Sequence, residues 1–112
     1  MSTPASFVVE VDDGVDPVVV RVGGELDLST APNLVQALEE AAPLSAAIVL
    51  ELSDVGFIDS SAIGALLTSG RARTSAGGRL QIGSRSAAVD RILEVTGLSE
   101  TSEAFEVLPQ TA

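Results

Sequence analysis

Residues 46–67 read Ala46-Ala-Ile-Val-Leu-Glu-Leu-Ser-Asp-Val-Gly-Phe-Ile-Asp-Ser-Ser-Ala-Ile-Gly-Ala-Leu-Leu67, and the architecture of the chain follows from them. Ala46–Leu52 is apolar except for Glu51. It has the length and β-branching of a strand covered on both faces, as in the middle of an α/β sheet. Residues 53–60 read as a loop. Asp59-Ser60-Ser61 then opens a helix running to Ser75. Asp59 or Ser60 can cap it by accepting a hydrogen bond from a first-turn N–H, and an acid there suits the positive end of the helix dipole. Gly77-Gly78 ends the helix.

On a helical wheel at about 100° per residue, Ile63, Leu66, Leu67 and Gly70 share the side that faces the sheet. Ser61, Ala65, Thr68 and Ala72 share the opposite side, which carries no charge and no long side chain. Such a stripe lets another backbone come close and reads as a docking strip headed by Ser61. The same residues also fit a simpler reading, in which the serines only cap and the stripe lies under the rest of the fold.

Upstream, Phe7–Val11 and Pro17–Val22 are β-branched runs around the turn signal Asp12-Asp13-Gly14, which predicts an antiparallel hairpin. Gly23-Gly24 loosens the chain before Glu25-Leu26-Asp27-Leu28. Ser29 or Thr30 can cap the next helix, with Pro32 in its first turn. Ala31, Leu34, Val35, Leu38, Ala41 and Ala42 form its apolar face, and Pro43 stops it. Downstream, Arg79–Ile82 predicts a strand, Ala87–Thr96 a helix ending at Gly97, and Ala104–Leu108 a last strand or extended tail. The order β-β-α-β-α-β-α-β contains two βαβ units and defines an α/β fold. One domain over residues 6–108 is expected, with flexible ends at 1–5 and 109–112.

Composition narrows the function. The 112-residue chain has a formal net charge of −10, six cationic side chains and no His or Cys. All six cations are Arg. The N-terminal half, residues 1–60, holds eleven of the sixteen acids against Arg21 alone. Nucleic acid and anionic membrane are bound by clustered cations, so neither is expected as a partner. Stacking platforms for bases are limited to Phe7, Phe57 and Phe105. Without His, Cys or Lys there is no Ser-His-Asp, Cys-His, P-loop or Ser-Lys arrangement, so no enzyme activity, metal or cofactor is expected. The N-terminus shows no signal-peptide pattern and no apolar run approaches a membrane span, which predicts a cytoplasmic protein.

Asp59-Ser60-Ser61-Ala-Ile-Gly64 resembles the Asp-Ser-Ser-Gly-Leu-Gly phosphorylation motif of the anti-sigma-factor antagonists, small single-STAS-domain proteins. Gly24-Glu-Leu-Asp-Leu-Ser-Thr-Ala31, Gly77-Gly-Arg-Leu80 and Ile92-Leu-Glu-Val-Thr-Gly-Leu98 are similar to other segments of that family, in the same order. The resemblance implies a STAS-type mixed sheet of four to five strands with helices mainly on one face. It also implies partner switching. The unphosphorylated protein binds an anti-sigma factor that is also a serine kinase, which releases a sigma factor. Phosphorylation at Ser61 ends the interaction, and a phosphatase resets it. On this reading Asp27, Asp59, Ser60, Ser61, Ala62, Ala65 and Thr68 form the partner-binding set, and the chain is a monomer or weak dimer. The alternative is a STAS interaction module of a stress-sensing scaffold or transport complex, without the phosphate switch. Ala62 departs from the family's Gly, which firms the helix start by about 0.8–1 kcal/mol.

Overall fold

The computed structural model describes residues 7–100 and 102–110. The expected boundary at residue 6 and the ends 1–5 and 111–112 lie outside the described residues. Five strands and three α-helices follow the expected order: β1 Phe7–Asp12, β2 Val18–Leu26, α1 Ala31–Ala41, β3 Ala47–Ile58, α2 Ser60–Ser75, β4 Arg79–Arg85, α3 Ala87–Val95 and β5 Glu106–Val107. A 3₁₀ turn, Ala42–Leu44, follows α1 where Pro43 prevents its continuation.

The sheet order is β1-β2-β3-β4-β5, with β1 antiparallel to β2 and all other pairs parallel. One face carries the core. Val18, Val20 and Val22 of β2, Ile48, Leu50 and Leu52 of β3, and Leu80 and Ile82 of β4 are all buried there. They form one cluster with Leu34 and Leu38 of α1, Ile63 and Leu66 of α2, and Val89 and Leu93 of α3. All three helices therefore lie over the same face.

Two sequence expectations are corrected. First, β3 is central but not covered on both faces: Glu51 is half-buried and Ser53 and Asp54 are exposed on the sheet's open side. Second, residues 53–58 are strand rather than loop, because β3 stays paired to the end of β2 through Gly24↔Val55, Glu25↔Phe57 and Leu26↔Ile58. Register shifts on both sides of Gly23-Gly24 break the two-residue alternation that would reveal it. At Gly23 a Cβ would stand 3.2 Å from the Asp54 Cβ, so the small residue permits this close pairing. Beyond β5, hydrogen bonds continue to Gln110. Gln110 accepts from the Arg85 amide (3.0 Å) and donates to the Arg85 carbonyl (2.9 Å) and the Asp90 carboxylate (3.2 Å).

Gly70 and Arg73 are prominent among the contacts that seat α2. Gly70 lies against the buried Ala104 backbone. The Arg73 guanidinium donates to the carbonyls of Ala42 (3.1 Å), Ser45 (2.8 Å) and Ala46 (2.6 Å), tying the helix to the connection between α1 and β3. Gly77, at φ +87°, allows the chain to reverse after the helix.

Candidate functional site

Parallel strands β2 and β3 end side by side, and each feeds directly into a helix. The Asp59 amide donates to the Leu26 carbonyl (3.1 Å), which fixes the two helix starts next to each other. This is the carboxyl edge of the parallel strands, where α/β folds place their binding sites.

The α1 start is organised by Asp27. Its Oδ1 accepts from the amides of Ser29 (2.9 Å) and Thr30 (3.1 Å) and from the Ser29 hydroxyl (2.7 Å). Thr30, the residue before the helix, makes no capping bond with its side chain. Its hydroxyl instead donates to the Glu25 carbonyl and accepts from the Asp27 amide. The Asp27 carboxylate thus closes a turn just ahead of α1, and the side-chain cap expected of Ser29 or Thr30 is not made. The turn it closes holds Leu28 outward, 74% exposed.

The Ser29 hydroxyl holds the Asp27 carboxyl below its ordinary value of 3.8; burial opposes this, and the Thr30 and Ser29 amides add to the lowering. A depressed folded-state pKa stabilises the turn above the unfolded carboxylate's range, and that contribution is lost as pH falls through the depressed value. A carboxyl-detected NMR titration should place the Asp27 midpoint below 3.8, with the Ser29 and Thr30 amides shifting alongside it. A midpoint at or above the ordinary value would show that the turn is not held this way.

The α2 start is capped by Asp59, whose Oδ1 accepts from the Ala62 amide (3.0 Å). Asp27 and Asp59 are therefore both occupied within the fold and act first as positioning groups. Ser60 and Ser61 follow as exposed first-turn residues, and neither hydroxyl bonds another described residue. They differ in direction: Ser61 lines a cavity of about 330 Å³ with Leu28, Pro32, Val35, Glu39 and Ala65, whereas Ser60 does not.

Ala62 leaves the expected partner-binding set. Its side chain is fully buried in the core, because it falls one turn before Leu66 on the face turned to the sheet. Ala65 is half-buried and Thr68 exposed, and both line the trough between α1 and α2. A residue outside that set lies on the exposed side of α2 near the motif, though it lines neither cavity. Gly64 is exposed on α2, and a Cβ there would meet nothing within 4 Å. The other missed residues, Leu28, Val35 and Glu39, come from the α1 side. Only Leu28, an apolar residue in an otherwise polar turn, carried a local signal.

Among the described residues no acidic cluster could hold a metal ion, and no helix is long and apolar enough to cross a membrane. What the fold presents is a shallow apolar trough between two helices, with an unengaged serine hydroxyl at one end. The chain belongs to the STAS-domain family: the family model described as Mlab, STAS domain, matches residues 9–109.

The relatives are consistent with that assignment. The chain is 31% identical over 109 residues to the anti-sigma-F factor antagonist RsfB of Mycobacterium tuberculosis, covering 96% of this chain and 88% of that protein. It is 28% identical over 92 residues to the anti-sigma-B factor antagonist of Bacillus subtilis, covering 82% and 84%. The crystal structure of an anti-sigma factor antagonist from Mycobacterium paratuberculosis superposes with a TM-score of 0.77 at 32% identity, covering 98% of this chain and 92% of that one. The mixed α/β sheet of four to five strands that the resemblance implied is thus borne out, with five strands, as the fold of this family.

Proposed function

We propose that this chain is an anti-sigma-factor antagonist: a non-catalytic cytoplasmic protein that binds an anti-sigma factor with serine kinase activity and is released by phosphorylation at Ser61. The carrying observation is the placement of Ser61. Its hydroxyl is exposed, makes no bond to any described residue and lines the α1–α2 trough, whereas Ser60 does not line it. A kinase can reach that hydroxyl, and a partner seated in the trough would cover it. The likeness to antagonists across nearly the whole chain supports the same reading.

Phosphate on Ser61 adds about −1.5 to −2 charge. Within the fold it sits in the first turn of α2, where free N–H groups and the dipole favour an anion, so the domain keeps its structure. In the complex the same group meets the side chains of Leu28, Pro32, Val35 and Ala65 with water excluded. A phosphatase acting on phospho-Ser61 restores binding. A pull-down from the native cytoplasm with wild-type chain and Ser61→Asp side by side, read by mass spectrometry, tests the proposal. A kinase-type anti-sigma factor held by wild type and lost by Ser61→Asp is expected. Equal capture by both would reduce Ser61 to an ordinary first-turn residue.

Gly64 belongs to the same surface on this reading. A mid-helix Gly costs about 0.8–1 kcal/mol relative to Ala, and no contact within the fold requires it here. Gly64→Ala should raise thermal stability by roughly 4–8 °C, the shift expected of about 1 kcal/mol in a domain of this size. It should also weaken partner binding, because the added methyl stands where a partner backbone approaches. A higher melting temperature with unchanged affinity would remove Gly64 from the interface.

A further inference from the structure

The trough is longer than the motif around Ser61. The 330 Å³ cavity at its upper end continues into one of about 240 Å³ between α1 and the second half of α2, and the two share Val35 and Glu39. Its lining is mostly apolar and small, so it suits a ridge of side chains rather than a flat surface. Two charged residues face it. Arg73 is committed to the carbonyls of Ala42, Ser45 and Ala46. Glu39 makes no hydrogen bond or ion pair with any described residue, while its neighbour Glu40 accepts from Gln36.

A carboxylate at the waist of an apolar trough restricts what can fill it. Docking removes water from Glu39, and a dehydrated carboxylate without a counter-charge is strongly unfavourable. The occupant must therefore bring a cation to this point. A second copy of the chain does not fit, since each copy carries a net charge of −10 and would add to the repulsion. We propose that the whole α1–α2 trough receives an apolar ridge of the anti-sigma factor bearing one Arg or Lys, and that Glu39 selects that partner by pairing with the cation. This rests on the antagonist reading and adds α1 to the docking surface.

The test uses the full chain carrying a photo-crosslinking side chain at Val35 in the trough or at Val8, which is 58% exposed on the open side of the sheet. Each is irradiated in the native cytoplasm and its adducts are sequenced. Adducts from position 35 should join a kinase-type anti-sigma factor at a segment containing Arg or Lys, and Ser61→Asp should abolish them. With that factor purified, Glu39→Arg should lower affinity at least about thirtyfold, Glu39→Gln less, and Glu40→Arg hardly at all. The same factor trapped only from position 8 would overturn the trough while leaving the antagonist reading intact. No anti-sigma factor at either position would overturn both. Trapping at position 35 with Glu39→Arg binding like wild type would overturn the selecting role of Glu39.

Discussion

Ser61→Asp is expected to weaken binding to the anti-sigma factor by at least about a hundredfold, and phosphorylation by more. The expectation rests on where the charge would be placed. The cavity beside Ser61 is walled by Leu28, Ala31, Pro32, Val35 and Ala65, and its only other charged group is the carboxylate of Glu39. In the free chain, water solvates an anion at this exposed position. In the complex that water is displaced, no cation of this chain replaces it, since Arg73 lies at the other end and is engaged with backbone carbonyls, and the partner's cation is already held by Glu39. Burying an unpaired ion costs several kcal/mol even after the surroundings relax, and about 3 kcal/mol already exceeds two decades of affinity.

Size contributes too, so a neutral control is needed. Ser61→Asn matches the bulk of Asp without its charge and should retain most of the binding, while Ser61→Ala should bind like wild type and resist the kinase. Titration calorimetry on the four proteins separates these terms. Equal losses for Asn and Asp would mean that bulk rather than charge operates the switch.

The second large effect concerns stability. Gly70→Ala should destabilise the fold by about 3 kcal/mol, lowering the melting temperature by roughly 12–24 °C. A Cβ at Gly70 would stand 1.9 Å from the Ala104 carbonyl oxygen and 2.7 Å from its carbonyl carbon. These are backbone atoms of a residue that is 1% exposed, so they cannot swing aside as a side-chain tip would. The helix must lift or the segment around Ala104 must move, and either disturbs the contacts of the neighbouring Phe105, itself buried. Gly64→Ala makes the same chemical change in the same helix, six residues earlier, with the opposite expected sign. Thermal melts of the two variants check both claims together. Similar melting temperatures for the two would show that α2 does not sit against Ala104 in this way.

The elements and their order were legible because the apolar periods are clean: alternation in β1 and β2, and i, i+3, i+4 spacing in α1 and α3. The second half of β3 was not legible. Ser53, Asp54 and Gly56 have loop chemistry, and they lie in a strand only because the bulged end of β2 runs beside them. Composition suggests the local preference, and pairing overrides it. Helix geometry put Ser61, Ala65 and Thr68 on one outward stripe, and all three line the trough. The same wheel places Ala62 one turn from Leu66, but adjacency to the motif drew it into the interface. The α1 wall of the trough was invisible for another reason. Val35 belongs by spacing to the buried face of its helix, and only the packing of α1 beside α2 leaves it half-exposed in the groove. No local pattern encodes how two helices meet.

The anchorage of α2 has a consequence for the diversification of such domains. What holds the helix in place, Gly70 against Ala104 and Arg73 across to Ala42, Ser45 and Ala46, faces inward or lies beyond the middle of the helix. What a partner would read, Ser61, Gly64, Ala65 and Thr68 together with Glu39, faces outward and supports none of those contacts. Substitutions on the outer set can change which partner is recognised without loosening the seat, so gene copies can part company in a single cell while sharing one scaffold. Parallel signalling lines can then stay insulated from each other by a few surface residues.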